Sequence, residues 1–370
     1  MQMTANDRLP VSLLTGFLGS GKTTLLNHLV KQPQFHRAVL IINEFGEIGL
    51  DHDLIETAQE DMVLLNNGCL CCTVRGDLIH TIHDLFLRLA RKQIAAFDRI
   101  VIETTGLADP APILQTLMTD PVITARLRLD GVIAVIDAAT GLKTLERHAE
   151  AAKQAAVADR LLLSKIDLAS KSSVTRLKQR LQRLNPAAPI LFAHHGAIDA
   201  GHVTGLGLYD PSRKTLDVQN WLKADSYPQL HNHHTGHGHD HHHDINRHDA
   251  HIGACCFVIE TPITGPRFDL WLGALMAFLG HNLLRVKGII HIADHDRPMV
   301  IHGVQHIFHP PVFLNHDGGS DRRSRIVFIG YDLDISLLRD TFKIIAPASL
   351  RETGPATDAP QPVAGRCRRP

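Results

Sequence analysis

The chain carries no net charge: 38 lysines and arginines stand against 38 aspartates and glutamates. That balance removes any general electrostatic reason to bind nucleic acid or an anionic membrane surface, and neither is expected as a partner. Long apolar runs are also missing. None approaches the roughly 18 residues that a bilayer-spanning helix needs, and residues 1–10 lack the apolar core of a signal peptide, so the sequence reads as cytoplasmic. Cysteine is scarce, six in all, yet Cys69, Cys71 and Cys72 fall within four positions. Such crowding suits one soft-metal site better than a disulfide framework. Aromatic residues are few as well, with 3 tyrosines and 2 tryptophans set against 26 histidines. There is no internal repeat.

What is present fits a soluble protein with a sizeable core, 44% hydrophobic and 21% charged over 370 residues, a length that suggests about two domains. Up to about residue 200, apolar strand candidates alternate with amphipathic helices, the pattern of a mainly parallel sheet covered on both faces. The strands are expected at residues 11–15, 38–43, 62–65, 99–103, 131–137, 160–164 and 189–192. Several are too continuously apolar to have a wet face. Helices are expected at 77–91, with Leu78, Ile79, Ile82, Leu85, Phe86 and Leu89 on one face, and along an Ala-rich stretch at 142–158.

Around residues 223–251 the composition changes. Ten histidines occur there with Gly, Asp and Asn and almost nothing apolar, which predicts a mobile linker able to hold divalent ions weakly through neutral imidazoles. Beyond it, strands are expected at 254–260, 284–292, 299–308 and 325–329 and helices at 267–279 and 335–342, a smaller α+β domain. The resulting organisation is a P-loop domain over 1–225, a linker over 226–251, an α+β domain over 252–345 and a disordered tail over 346–370. Cys255 and Cys256 sit in an apolar strand and are expected to pack as small hydrophobes. His281, His291, His302, His306 and His309 read mainly as structural or surface residues, with metal binding open for some.

The strongest signal follows the first strand. Gly16-Phe17-Leu18-Gly19-Ser20-Gly21-Lys22-Thr23-Thr24 matches G-x-x-x-x-G-K-[ST] between a strand and an apolar helix face. Glycines let backbone N–H groups turn inward around a polyphosphate at a helix N-terminus, Lys22 reaches the β- and γ-phosphates, and the Thr23 hydroxyl holds Mg²⁺. Glu103-Thr104-Thr105-Gly106 ends a later strand. Its carboxylate is placed to act on the Mg²⁺ shell and the Gly106 amide to sense the γ-phosphate. Ser164-Lys165-Ile166-Asp167 has the form [N/S]-K-x-D, in which an aspartate accepts N1–H and the 2-amino group of guanine while the lysine stem packs along the ring. It favours GTP over ATP.

Between these motifs lies Asn66-Asn67-Gly68-Cys69-Leu70-Cys71-Cys72, three thiolates that can share a thiophilic cation such as zinc or Cu(I) and leave a fourth position open. Glu44, Glu47 and Asp51 stand where a switch loop belongs, and each can serve Mg²⁺, orient the attacking water or complete the thiolate site.

Taken together, GFLGSGKTT, INEFGEIGLD, GCLCC, ETTGLADP and SKID resemble the CobW-type family of P-loop GTPases, described as metallochaperones or metal-insertase partners. Leu283-Leu284-Arg285-Val286-Lys287-Gly288 and His302-Gly303-Val304-Gln305-His306 are similar to that family's carboxy-terminal domain. The resemblance covers residues 9–345. It implies a P-loop NTPase domain with a mainly parallel sheet, then a smaller α+β domain; zinc or cobalt held by Cys69, Cys71 and Cys72; and GTP hydrolysis coupled to metal release. It carries nucleotide-binding roles to Gly16, Gly19, Ser20, Gly21, Lys22, Thr23, Thr24, Gly106, Ser164, Lys165 and Asp167. Lys22, Glu103 and, from its place in the switch loop, Glu47 are the candidate catalytic residues. The implied partner is a client metalloprotein, and a GTP-dependent homodimer through the switch faces is open. The cysteine-containing docking motif of the branch that serves methionine aminopeptidase does not precede this P-loop. Cobalt or iron insertion for cobalamin synthesis or nitrile hydratase maturation is the nearest variant. A P-loop small-molecule kinase and a passive metal buffer are the other readings.

Overall fold

Strand β1 (Leu9–Thr15) is the axis of a seven-stranded sheet, and its apolar residues divide by parity, as the two faces of a strand require. Val11 and Leu13 join the core on one face and Leu14 that on the other. The computed structural model describes residues 8–43, 63–66, 74–206, 252–314, 321–345 and 350–351. Glu44, Glu47, Asp51, the three clustered cysteines and the histidine segment lie outside them.

The other strands of this sheet are β2 (Ala38–Asn43), β3 (Val63–Asn66), β4 (Arg99–Thr104), β5 (Leu127–Asp137), β6 (Arg160–Ser164) and β7 (Ile190–Phe192). The order is β3-β2-β4-β1-β5-β6-β7, and every pairing is parallel. All seven fall where continuous apolar character predicts them. The same parity repeats across the sheet: Ile100, Ile102, Leu161 and Leu163 pack on one side, Val101 and Leu162 on the other. Helix α1 (Lys22–Leu29) covers the second face through Leu25, Leu26 and Leu29. The first face is covered by α2 (Val74–Ala90), α3 (Ala111–Thr119), α4 (Pro121–Arg126), α5 (Gly141–Arg147), α6 (Ala149–Val157) and α7 (Lys171–Leu184). Of these, α2 buries Leu78, Ile82, Leu85 and Phe86, the stripe read from its spacing.

One expected helix is two. Residues 142–158 break at His148, whose backbone is extended (φ −128°, ψ 112°) and whose ring lies 4.5 Å from that of Phe17 in the loop after β1. Thus a tertiary ring contact sits at the point where the local helical pattern is interrupted. The C-terminal carbonyls of α6 are taken up by Asn185, whose amide nitrogen donates to Ala155, Ala156 and Ala158 at 2.8–3.0 Å.

A second sheet is antiparallel and is built from β8 (Ile252–Ile259), β9 (Leu283–Ile290), β10 (Met299–Val304), β11 (Ile307–Phe308), β12 (Val312–Phe313), β13 (Ser324–Tyr331) and β14 (Leu350–Arg351). The strand expected at 299–308 is a hairpin: β10 and β11 pair antiparallel around Gln305, which adopts a left-handed φ of 53°. Helices α8 (Gly265–Leu279) and α9 (Ile335–Phe342) cover one face, where Trp271 and Phe342 pack with Phe257 and Phe328. The indole nitrogen of Trp271 finds the Thr341 hydroxyl at 3.1 Å, which satisfies the one polar atom of that cluster's largest ring. Both Cys255 and Cys256 are buried in β8, as their apolar neighbours imply.

The two sheets meet through helices: α6 packs on β9 and α7 on β8. Ile252, Leu284, Val304 and Ile329 of the second sheet belong to the same apolar cluster as α6 and α7. At the centre of this contact Asp159 takes Arg285 Nη2 and Lys287 Nζ, both at 2.6 Å, and accepts the Val132 amide on its other oxygen.

Candidate nucleotide-binding site

The loop from β1 into α1 is a backbone cradle. Gly16 has φ 142°, and a Cβ on it would lie 2.3 Å from the Val135 carbonyl and 2.9 Å from the Ser20 hydroxyl, so no other residue fits. The N-cap of α1 is Gly21, which offers no side chain to the helix's first amides, and the first turn holds no acidic residue. A helix N-terminus left in this state attracts an anion through its N–H groups and its dipole. Lys22 is 8% exposed, and its Nζ donates to the carbonyls of Gly16 at 3.0 Å and Phe17 at 3.5 Å. The ammonium is thus held at the rim of the loop.

Two neighbouring strand ends complete the crevice. Glu103 lies beside Leu14 on β1 and Ile42 on β2 and is buried. The Thr104 hydroxyl donates to that of Thr15 at 2.9 Å. Gly106 presses directly on the phosphate loop: a Cβ there would be 2.6 Å from the Leu18 amide nitrogen. The hydroxyls of Ser20 and Thr105 are buried and have no hydrogen-bond partner among the described residues. Orphaned hydroxyls beside an uncapped helix N-terminus fit a polyphosphate and its hydrated Mg²⁺, which would supply the missing partners.

The third motif reaches the same place from β6. The Ser164 hydroxyl donates to the Ser20 carbonyl at 2.6 Å, Lys165 adopts a left-handed φ of 51°, and Asp167 is exposed on the 3₁₀ turn Ile166–Leu168. Lys165 Nζ forms an ion pair at 3.1 Å with Asp137, the last residue of β5, whose other oxygen accepts the amides of Ala139 and Thr140. Sequence reading passed over Asp137. It also missed the loop after β7, where His195 (φ 50°) and Gly196 (φ 81°) are both left-handed and Gly196 lies against the Thr24 carbonyl. The signal available for it was a His-His-Gly run at a strand end, lost among so many histidines.

Among the predicted site residues, the structure gathers Gly16, Gly19, Ser20, Gly21, Lys22, Thr23, Thr24, Glu103, Gly106, Ser164, Lys165 and Asp167 at the carboxyl ends of β1, β4 and β6, the end at which open α/β sheets bind ligands. Among the described residues the second sheet assembles nothing comparable. His291, His302 and His309 are buried there, and among the described residues no three His, Cys, Asp or Glu side chains cluster to hold a metal. Nor, among those residues, is any helix long and apolar enough to cross a membrane.

An all-parallel sheet with G-x-x-x-x-G-K-T at the end of its central strand, followed by a separate antiparallel sheet, defines a P-loop nucleotide-binding protein with a C-terminal domain. The chain belongs to the CobW family: residues 10–192 match the profile described as CobW/HypB/UreG, nucleotide-binding domain, and residues 252–345 that described as cobalamin synthesis protein cobW C-terminal domain. It is 33% identical over 335 residues to the zinc chaperone YjiA of Escherichia coli K12, which spans 90% of this chain and 98% of that protein. It is 30% identical over 371 residues to the zinc chaperone CobW of Pseudomonas aeruginosa, covering 90% of each. The solved structure of Zn(II)-bound YjiA GTPase from E. coli superposes with a TM-score of 0.66 at 29% identity, covering 90% of this chain and 98% of that one.

Proposed function

We propose that this protein is a GTP-hydrolysing metal chaperone that takes up zinc at Cys69, Cys71 and Cys72 and delivers it to a client metalloprotein in step with its nucleotide. The observation that carries the reading is the convergence of an uncapped α1 N-terminus, the Lys22 ammonium and the Ser164–Asp167 turn on one end of the sheet. Support for the metal comes from relatives named zinc chaperones that align along 90% of the chain, and from three thiolates spaced for one soft ion.

The roles follow from position. The amides of residues 19–23 receive the phosphates, and Lys22 exchanges its loop carbonyls for β- and γ-phosphate oxygens. Asp167 accepts the two N–H groups on the guanine edge while the Lys165 stem covers the ring. Mg²⁺, when bound, supplies the positive charge that offsets the developing charge on the phosphates, and the Thr23 hydroxyl and Glu103 carboxylate are the groups to hold it. Glu103 and Glu47 are the carboxylates available to orient the attacking water, and the Gly106 amide registers whether the γ-phosphate is present. The cytoplasm is the compartment in which GTP and reduced thiolates coexist.

The test has two arms. Phosphate release from GTP and Mg²⁺ with no acceptor present supports hydrolysis; strict dependence on an added small molecule would make the protein a kinase. Competitive affinity for Zn²⁺, Co²⁺ and Fe²⁺ is then measured with and without a GTP analogue. The chaperoned metal is the one whose affinity changes with nucleotide, because coupling is reciprocal. Unchanged zinc affinity in Cys71→Ser would remove the thiolate site from the reading.

A further inference from the structure

Helix α6 touches both the loop after β4 and the second domain, through polar side chains at its middle and polar groups at its C-terminal end. Gln154 is 1% exposed, and its Nε2 donates to the carbonyls of Gly106 at 3.2 Å and Ala108 at 3.0 Å. Beside it, Lys153 Nζ pairs with Asp109 at 3.0 Å and stands 5.9 Å from the ring centroid of Tyr331, the last residue of β13. At the far end of the helix the Val157 carbonyl accepts Arg285 Nη1, and Asp159, two residues on, takes Arg285 and Lys287 of β9.

On either side of Lys153 and Gln154, α6 buries small side chains. Ala151, Ala152, Ala155 and Ala156 are all buried, and a face without interlocking side chains resists sliding less than one of large residues. A crevice lined in part by Phe17, Leu18, Ile136, Thr144 and Gln154 adjoins both the helix and the phosphate loop. Gly106 in turn leaves no room for a Cβ against Leu18. Displacement of α6 therefore reaches the phosphate loop through two contacts, Gln154 to Gly106 and Gly106 to Leu18.

We propose that α6 is a strut through which the C-terminal domain sets the position of the loop at 105–109. Gln154 and Lys153 are positioning residues for that loop, and Arg285 and Lys287 hold the strut from the other side. This rests on the reading of residues 16–24 and 103–106 as the GTP site. Docking of the C-terminal domain then tunes GTP turnover, and loss of the γ-phosphate loosens the domain's hold on α6.

The experiment uses the full-length chain and the variants Gln154→Leu, Lys153→Met and Arg285→Met. Hydrogen exchange is followed at the amides of residues 105–109 without nucleotide, and kcat and KM for GTP are measured separately. Arg285→Met is expected to speed exchange at 105–109 and lower kcat about fivefold with KM little changed. Gln154→Leu should do the same, and the double variant should be no worse than the more affected single. Unchanged exchange at 105–109 in folded Arg285→Met overturns the strut. If Arg285→Met does not fold, the partly exposed Lys153 carries the test, and unchanged exchange in Lys153→Met overturns it equally. Wild-type protein that hydrolyses no GTP overturns the proposed function instead, while the exchange measurement still decides for or against the strut.

Discussion

The hydroxyl of Ser164 donates a 2.6 Å hydrogen bond to the backbone carbonyl of Ser20. These residues lie 144 positions apart, one at the start of the proposed base-reading turn and the other in the phosphate loop. The bond fixes the spacing between the two halves of a nucleotide site. Replacing Ser164 with alanine leaves a buried carbonyl without that donor and releases the spacing. GTP affinity is expected to fall about tenfold, since a lost buried hydrogen bond costs about 1–3 kcal/mol. Titration with a fluorescent GTP analogue checks this.

Asp167 is the specificity residue of the proposal, and exposure on its 3₁₀ turn leaves it open to a base. Asp167→Asn replaces one acceptor oxygen with a donor. It should weaken GTP and strengthen xanthosine triphosphate, whose ring carries a carbonyl where guanine carries an amino group. A change of about 100-fold in the ratio of the two affinities is expected for a buried polar mismatch. Equal weakening of both nucleotides would show that Asp167 does not read the base.

At the domain contact, Asp159 is the counter-charge for two buried cations. Burial opposes its ionisation, but Arg285 and Lys287 outweigh that and hold its carboxyl below the ordinary range. Asp159→Asn removes the carboxylate charge that faces the buried Arg285 and Lys287. Removing one member of a buried ion pair costs about 3–5 kcal/mol, and urea unfolding should show a loss of that size.

Acid should weaken the fold by a defined route. Burial, and then the charge of Arg285, push the His302 imidazole well below its usual range, and burial lowers His291 and His309 as well. Below about pH 6.5 the unfolded chain binds these protons and the folded chain does not, so stability present above that pH is lost as pH falls toward the folded values. Each such histidine contributes a slope of about 1.4 kcal/mol per pH unit at most. His302→Gln should reduce the slope measured between about pH 6.5 and 5.5 by up to that amount; an unchanged slope would mean that His302 is protonated in the fold.

Much of this architecture is legible in the sequence because buried parallel strands write themselves as continuous apolar runs. All seven strands of the first sheet, and the phosphate and base motifs at their ends, could be placed in that way. What was hidden depends on contacts between distant residues. Nothing local distinguishes residues 142–158 from one helix; His148 breaks it where its ring meets Phe17. Gln154 sits in an ordinary Ala-rich helix, and only the fold brings it to Gly106, 48 positions away. Asp137 looks like any strand end until Lys165 closes on it.

The bonds from Lys22 to the carbonyls of Gly16 and Phe17 have a consequence for binding. A phosphate loop pinned by its own lysine holds these two contacts with no nucleotide present, so on the proposed reading the cradle is built before its ligand arrives. On that reading the phosphates would compete with two backbone oxygens for one ammonium, and binding would exchange one set of hydrogen-bond partners for another.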